Sequence, residues 1–107
     1  MEVVWSDLAI ESLYDILAYV QGFFGKKTAN NIAVKVISFV ESLESSPYVG
    51  RRLLHLSQYG EIRCTFYKQN HIYYQIYEDR IEVIIIWDGR QDPRRLQNLL
   101  IDFLTKQ

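Results

Sequence analysis

A chain of 107 residues, 49% apolar and 23% charged, is long enough to bury one core without metal or disulfide staples. A net charge of −1 excludes a global attraction to nucleic acid, and the single cysteine, Cys64, excludes an intramolecular disulfide and suits a reducing compartment. No apolar run approaches the ~20 residues that cross a bilayer, and the opening Met1–Asp7 is acidic rather than a basic signal sequence, so one cytoplasmic domain over residues 1–107, with no membrane partner, is expected.

Glu2–Trp5 is a short strand that needs a larger sheet to be stable. Ser6-Asp7 then offers a helix N-cap and a favourable negative charge beside it. Leu13, Ile16, Leu17, Val20 and Phe24 recur at helical spacing, which predicts an amphipathic helix over roughly 7–23, ended by Gly25. A second stripe (Ala29, Ile32, Ala33, Val36, Val40 and Leu43) predicts another helix over roughly 27–45, stopped by Ser45-Ser46-Pro47. The short link between the two makes an antiparallel helical hairpin.

Tyr48–Tyr59 reads as a loop with a short turn, and is the longest irregular segment. Three strands follow. Glu61–Tyr67 alternates Ile62, Cys64 and Phe66 against Arg63, Thr65 and Tyr67. Gln69-Asn70 is the expected hairpin turn, and His71–Tyr77 alternates Ile72, Tyr74 and Ile76 against His71, Tyr73, Gln75 and Tyr77. The aliphatic side of this hairpin should face the helices, leaving Arg63, Tyr67, His71, Tyr73, Gln75 and Tyr77 as an exposed aromatic surface. Ile81–Ile86, β-branched throughout except for Glu82, is the central strand. It delivers a polar corner, Asp88-Gly89-Arg90-Gln91-Asp92-Pro93, and a terminal amphipathic helix over Arg94–Thr105. The order β-α-α-β-β-β-α predicts an α+β fold in which the N-terminal helical hairpin packs on a small, mainly antiparallel sheet.

Charge is unevenly spread. Residues 1–46 carry six acids and three bases (−3), residues 47–76 one acid and four bases (+3), and residues 77–107 six acids and five bases (−1). Arg51, Arg52, Arg63 and Lys68 therefore form a candidate basic patch for phosphates or an acidic partner, joined by Arg94 and Arg95 after the central strand. No Cys/His cluster, phosphate-binding glycine loop or catalytic carboxylate pair is present, so neither a metal nor a cofactor is expected. Cys64 falls on the core side of its strand and reads as a small inert hydrophobe.

What remains is arginine chemistry. Arg63 in mid-strand and Arg90 after the central strand can hold a phosphate or stabilise charge on a pentacoordinate phosphorus. Tyr73 can stack a base and His71 can move a proton near neutral pH, a weaker pair of candidates. The alternative is that both arginines pair with nearby carboxylates and are structural.

Several local signatures occur in a telling order: V-V-W-S-D-L-A before the first helix, L-E-S-S-P-Y-V-G-R after the second, then G-E-I-R-C-T-F-Y-K, H-I-Y-Y-Q-I-Y and W-D-G-R-Q-D-P-R-R-L. Together they resemble the RelE/ParE superfamily, the toxins of type II toxin–antitoxin pairs, over essentially the whole chain. The resemblance implies a cognate antitoxin as partner, assembled as a homodimer or as a heterotetramer with the antitoxin. It also implies one of two targets. RelE-like members cut messenger RNA on the ribosome without metal, and for that activity the chain offers Arg63 and Arg90 but no His or Tyr directly after Trp87. ParE-like members poison DNA gyrase and need no catalytic set, which suits the residues absent here. A member that only binds its antitoxin is the third reading.

Overall fold

Ser6 ends the first strand and starts the first helix. Its Oγ accepts the Ala9 N–H at 3.0 Å and donates to the Ile84 carbonyl at 2.8 Å, while its own N–H reaches the Val83 carbonyl at 3.0 Å. One side chain thus caps a helix and fastens it to the middle of the sheet. In this computed structural model, which describes residues 1–106, the elements run β1 (Glu2–Trp5), α1 (Asp7–Phe24), α2 (Lys26–Glu41), β2 (Arg51–Arg52), β3 (Glu61–Tyr67), β4 (Asn70–Ile76), β5 (Arg80–Asp88) and α3 (Pro93–Thr105). The expected β-α-α-β-β-β-α order stands, with one two-residue strand added at the sheet edge.

The sheet order is β1-β5-β4-β3-β2. Only β1 runs parallel to its neighbour, pairing with β5; every other pair is antiparallel. β5 is consequently internal, and Ile81 and Val83–Trp87 are all buried. β1 stops at Trp5, but the backbone of β5 beyond it is not left unsatisfied: Ser12 Oγ on α1 accepts the Ile86 N–H at 2.9 Å.

Two apolar clusters sandwich the sheet. The first lies under the helical hairpin and joins Leu13, Ile16, Val20, Val36 and Val40 to Ile72, Tyr74, Ile81, Val83 and Ile86. The second lies on the opposite face, where α3 (Leu96, Leu100, Leu104) and a 3-10 segment at Leu54–Tyr59 cover Ile62, Cys64, Tyr73, Ile84, Ile85 and Trp87. A bulge in β5 lets one strand serve both. Tyr73 pairs with Ile85 but Tyr74 with Val83, so Ile84 is the extra residue and the inside–outside alternation changes phase there.

The second cluster corrects the expected exposed tyrosine face. Tyr73 and Gln75, both expected on that surface, are buried. The cause is the cover: Tyr73 and Gln75 do lie on the face away from the helical hairpin, but α3 and the 3-10 segment close over it, and Gln75 donates to the Tyr59 carbonyl at 3.0 Å. The turn is Lys68-Gln69, closed by the Tyr67–Asn70 pair, with Lys68 at φ +54°, rather than Gln69-Asn70. Cross-strand partners share a face, so Ile62 and Cys64 go with Tyr73 on the α3 side, not with Ile72 and Tyr74 under the hairpin as expected. Arg63 lies opposite Tyr74, and Cys64 opposite Tyr73. The segment expected as loop, Tyr48–Tyr59, supplies β2 and the 3-10 cover. The second helix ends at Glu41, four residues early, and continues as a 3-10 turn over Ser42–Glu44. No helix among the described residues is long and apolar enough to cross a membrane.

Candidate functional site

Arg63 is held by the loop that returns from the helical hairpin. Its Nε donates to Glu61 Oε2 at 2.7 Å, and its Nη1 donates to the carbonyls of Gly50 (2.7 Å) and Tyr48 (3.3 Å). Its guanidinium also lies 5.3 Å from the centre of the Tyr48 ring. Tyr74, directly opposite on β4, ties down the same loop: its hydroxyl accepts the Gly50 N–H at 2.9 Å and donates to the Pro47 carbonyl at 2.8 Å. Burial pushes the Tyr74 hydroxyl's pKa up, so it stays a neutral donor and acceptor. Gly50 permits this closeness, because a Cβ there would lie 2.6 Å from the Tyr74 hydroxyl.

Arg52 lies across the sheet edge from Arg63, and Arg51 across from Cys64. Arg51 is exposed, and its positive charge reaches the buried Cys64–Tyr73 pair. Burial pushes the Cys64 thiol up; the Tyr73 hydroxyl and the Arg51 charge only partly oppose it. Burial likewise raises Tyr73. These groups are set in the second apolar cluster, where Cys64 takes the inert core position expected of it.

Arg90 belongs to a different corner. It grips Asp88 with Nε at 2.9 Å and Nη2 at 2.6 Å, while its backbone N–H adds a third bond to the same carboxylate at 2.9 Å. The Arg90 side chain holds the Asp88 carboxyl below the usual carboxylate range; burial works against this, and the Arg90 N–H and the charge of His71 work with it. His71 lies opposite Trp87 and against Gly89, where a Cβ would come within 2.8 Å of His71 Nε2. Its other neighbour is the exposed Phe66 ring at 5.8 Å. Lys68 sits on the adjacent turn, with its ammonium 5.6 Å from the Tyr67 ring centre. The Arg94 N–H completes the Asp92 cap of α3 at 2.9 Å, and Arg95 lies over Trp87 at 5.6 Å.

The sequence candidates therefore divide into separate groups. Arg63 and Arg52 share the β2 edge, Arg51 and Tyr73 flank Cys64, and His71 joins Asp88 and Arg90 at the turn end of the sheet. The row Arg63–Tyr74–Val83 is four residues from the row Tyr67–Asn70–Asp88, or about 13 Å along the strands.

One surface went unread in the sequence. Trp5, Ile10, Leu13, Tyr14, Leu17, Ala33 and Ile37 line an apolar groove of about 480 Å³ along the outside of the α1–α2 hairpin. Tyr14 is 68% exposed, and at the tip Tyr19, Phe23 and Phe24 are exposed in ring contact. The signal was present: the apolar arc of α1, with Ile10, Tyr14 and Leu17 beside Leu13 and Ile16, is wider than one buried stripe requires.

The family model described as ParE toxin of type II toxin-antitoxin system, parDE, matches residues 3–93, leaving most of α3 outside the match. No curated protein matches the sequence. Among solved structures, a chain of the "Chromosomal ParDE TA system from P. aeruginosa" is similar in fold, with a TM-score of 0.68 at 17% identity, over 80% of this chain and 92% of that one.

Proposed function

The chain belongs to the ParE toxin family of type II toxin–antitoxin systems, and from that premise we propose that it is a growth inhibitor that acts in the cytoplasm on DNA gyrase and is held in check by a cognate antitoxin. The solved ParDE system adds support at the level of fold. The observation that carries the gyrase reading over RNA cleavage is the engagement of the two arginines. A ribonuclease needs cations free to meet charge developing on phosphorus. Arg63 is instead committed to Glu61 and two loop carbonyls, and Arg90 to Asp88. About 13 Å of sheet separates their rows. Binding a protein target makes no such demand, and the apolar hairpin offers surface for it.

The test is a parallel assay of the purified chain on supercoiling by gyrase and on messenger RNA in a translating ribosome mixture. Inhibited supercoiling, or stabilised cleaved DNA, with intact message is the expected result. Cut message with unaffected gyrase would overturn the gyrase assignment and return Arg63 and Arg90 to a catalytic role. Added antitoxin should restore supercoiling.

A further inference from the structure

The side of α2 turned away from the outer groove borders a second cavity. Asn31 and Lys35 stand two residues either side of Ala33, or about 200° round the helix from it. With Thr28 they meet Tyr67, Lys68 and Asn70 of the β3–β4 hairpin around a space of about 460 Å³. That lies within the ~300–1,000 Å³ usual for small-ligand sites.

The rim of this cavity is cationic. Lys35 and Lys68 are exposed, and among the described residues neither enters an ion pair. No carboxylate is among the described residues that line it, α2 carries no acid before Glu41, and the chain has none between Glu61 and Glu78. Thr28 adds a hydroxyl in the first turn of α2, where the helix dipole is positive. One wall is apolar, built from Ile32, Val36 and the Tyr67 ring. Asn70, only 4% exposed, completes the lining, and its buried Oδ1 makes no hydrogen bond within the chain. A buried acceptor is costly to leave unpaired, so a ligand that brings a donor gains affinity there.

We propose that this cavity binds a nucleotide, with its phosphate on Lys35, Lys68 and the Thr28 hydroxyl, its base against Ile32, Val36 and Tyr67, and a base N–H donated to Asn70 Oδ1. Each part of the ligand answers a different feature. A free phosphate would meet the lysines but leave Asn70 unpaired and the apolar wall wet, and an apolar ligand would leave two cations unanswered. The cavity shares no lining residue with the outer groove of the hairpin or with the arginine clusters, so the inference does not depend on what the protein acts upon.

Isothermal titration calorimetry of the full chain with adenosine 5′-monophosphate, ribose 5-phosphate and inorganic phosphate tests it. The nucleotide is expected to bind about tenfold tighter than either base-free ligand, the worth of about one net hydrogen bond. All three should weaken as salt rises from about 50 to about 500 mM. Lys35→Glu and Lys68→Glu, both at exposed positions, should each weaken all three by about tenfold or more. Asn70→Ala should bring the nucleotide down to the level of ribose 5-phosphate and leave inorganic phosphate unaffected. A nucleotide that does not bind at millimolar concentration overturns the proposal. So does binding indifferent to both lysine reversals, which would lie on another basic patch. So does a nucleotide no tighter than ribose 5-phosphate on the wild-type chain, a comparison that needs no variant to fold. Circular dichroism confirms that each variant keeps its helices.

Discussion

Arg63 Nη1 donates to the Gly50 carbonyl at 2.7 Å, and the Gly50 N–H is in turn held by the Tyr74 hydroxyl at 2.9 Å. A residue with the look of a phosphate ligand therefore acts as a clasp on the loop between the hairpin and the sheet. Arg63→Ala should cost about 1–3 kcal/mol, the usual penalty for stranding part-buried acceptors of a charged donor. Urea unfolding measures it. An unchanged midpoint would mean that the loop is held without Arg63.

Tyr74 has no exposed surface, and its hydroxyl makes two bonds to the same loop. Tyr74→Phe should destabilise by about 1–3 kcal/mol, because it leaves the buried Gly50 N–H unpaired. Gly50→Ala should also destabilise, since its Cβ would meet the hydroxyl at 2.6 Å and the Cys64 carbonyl at 3.0 Å. The double variant should cost less than the sum of the singles, because removing the hydroxyl relieves one clash. Strict additivity would disprove the contact.

Asp88 gives a signed pH dependence. Its carboxyl titrates below the ordinary value of 3.8 in the folded chain, chiefly through Arg90. The resulting stability is complete above the unfolded-state value and is lost as pH falls through the lower folded-state value. Between about pH 5 and pH 2, wild-type stability should fall more steeply than that of Asp88→Asn. Parallel curves from thermal melts across that window would rule out the linkage.

Cys64 is buried, and its thiol is pushed up by that burial. Its reaction with an aromatic disulfide reagent at mildly alkaline pH should be slower in the native chain than in urea by about two orders of magnitude. Equal rates would place the sulfur at the surface.

How far the sequence could be read follows from which signals are local. Ser6, Gly25 and Pro93 bounded helices because caps and breakers act on their own neighbours, whereas Pro47 did not: α2 stops at Glu41. The hairpin register was misread because Lys68 takes a positive φ without being a turn-forming residue type, while Gln69-Asn70 looked the better turn. The misplaced face of β3 came instead from grouping Ile62 and Cys64 with Ile72 and Tyr74, although cross-strand pairing sets Cys64 beside Tyr73. The bulge at Ile84 and the cover over Tyr73 were not legible, since both arise from elements distant in sequence. Cys64 was placed in the core correctly. Its position on the aliphatic side of β3 sufficed, whichever cover lay above it.

The sheet's free margins have a bearing on how the protein behaves at high concentration. One margin is β2, only two residues long and made of Arg51 and Arg52, both exposed; the other is the four-residue β1. Long flat strand margins invite neighbouring molecules to extend the ladder into fibres. Here a stranger's strand meets two guanidinium groups on one side and a strand too brief to template growth on the other. An aliphatic-rich sheet is thereby kept from polymerising, and paired arginines at Arg51-Arg52 have a reason to exist whether or not they ever touch a phosphate.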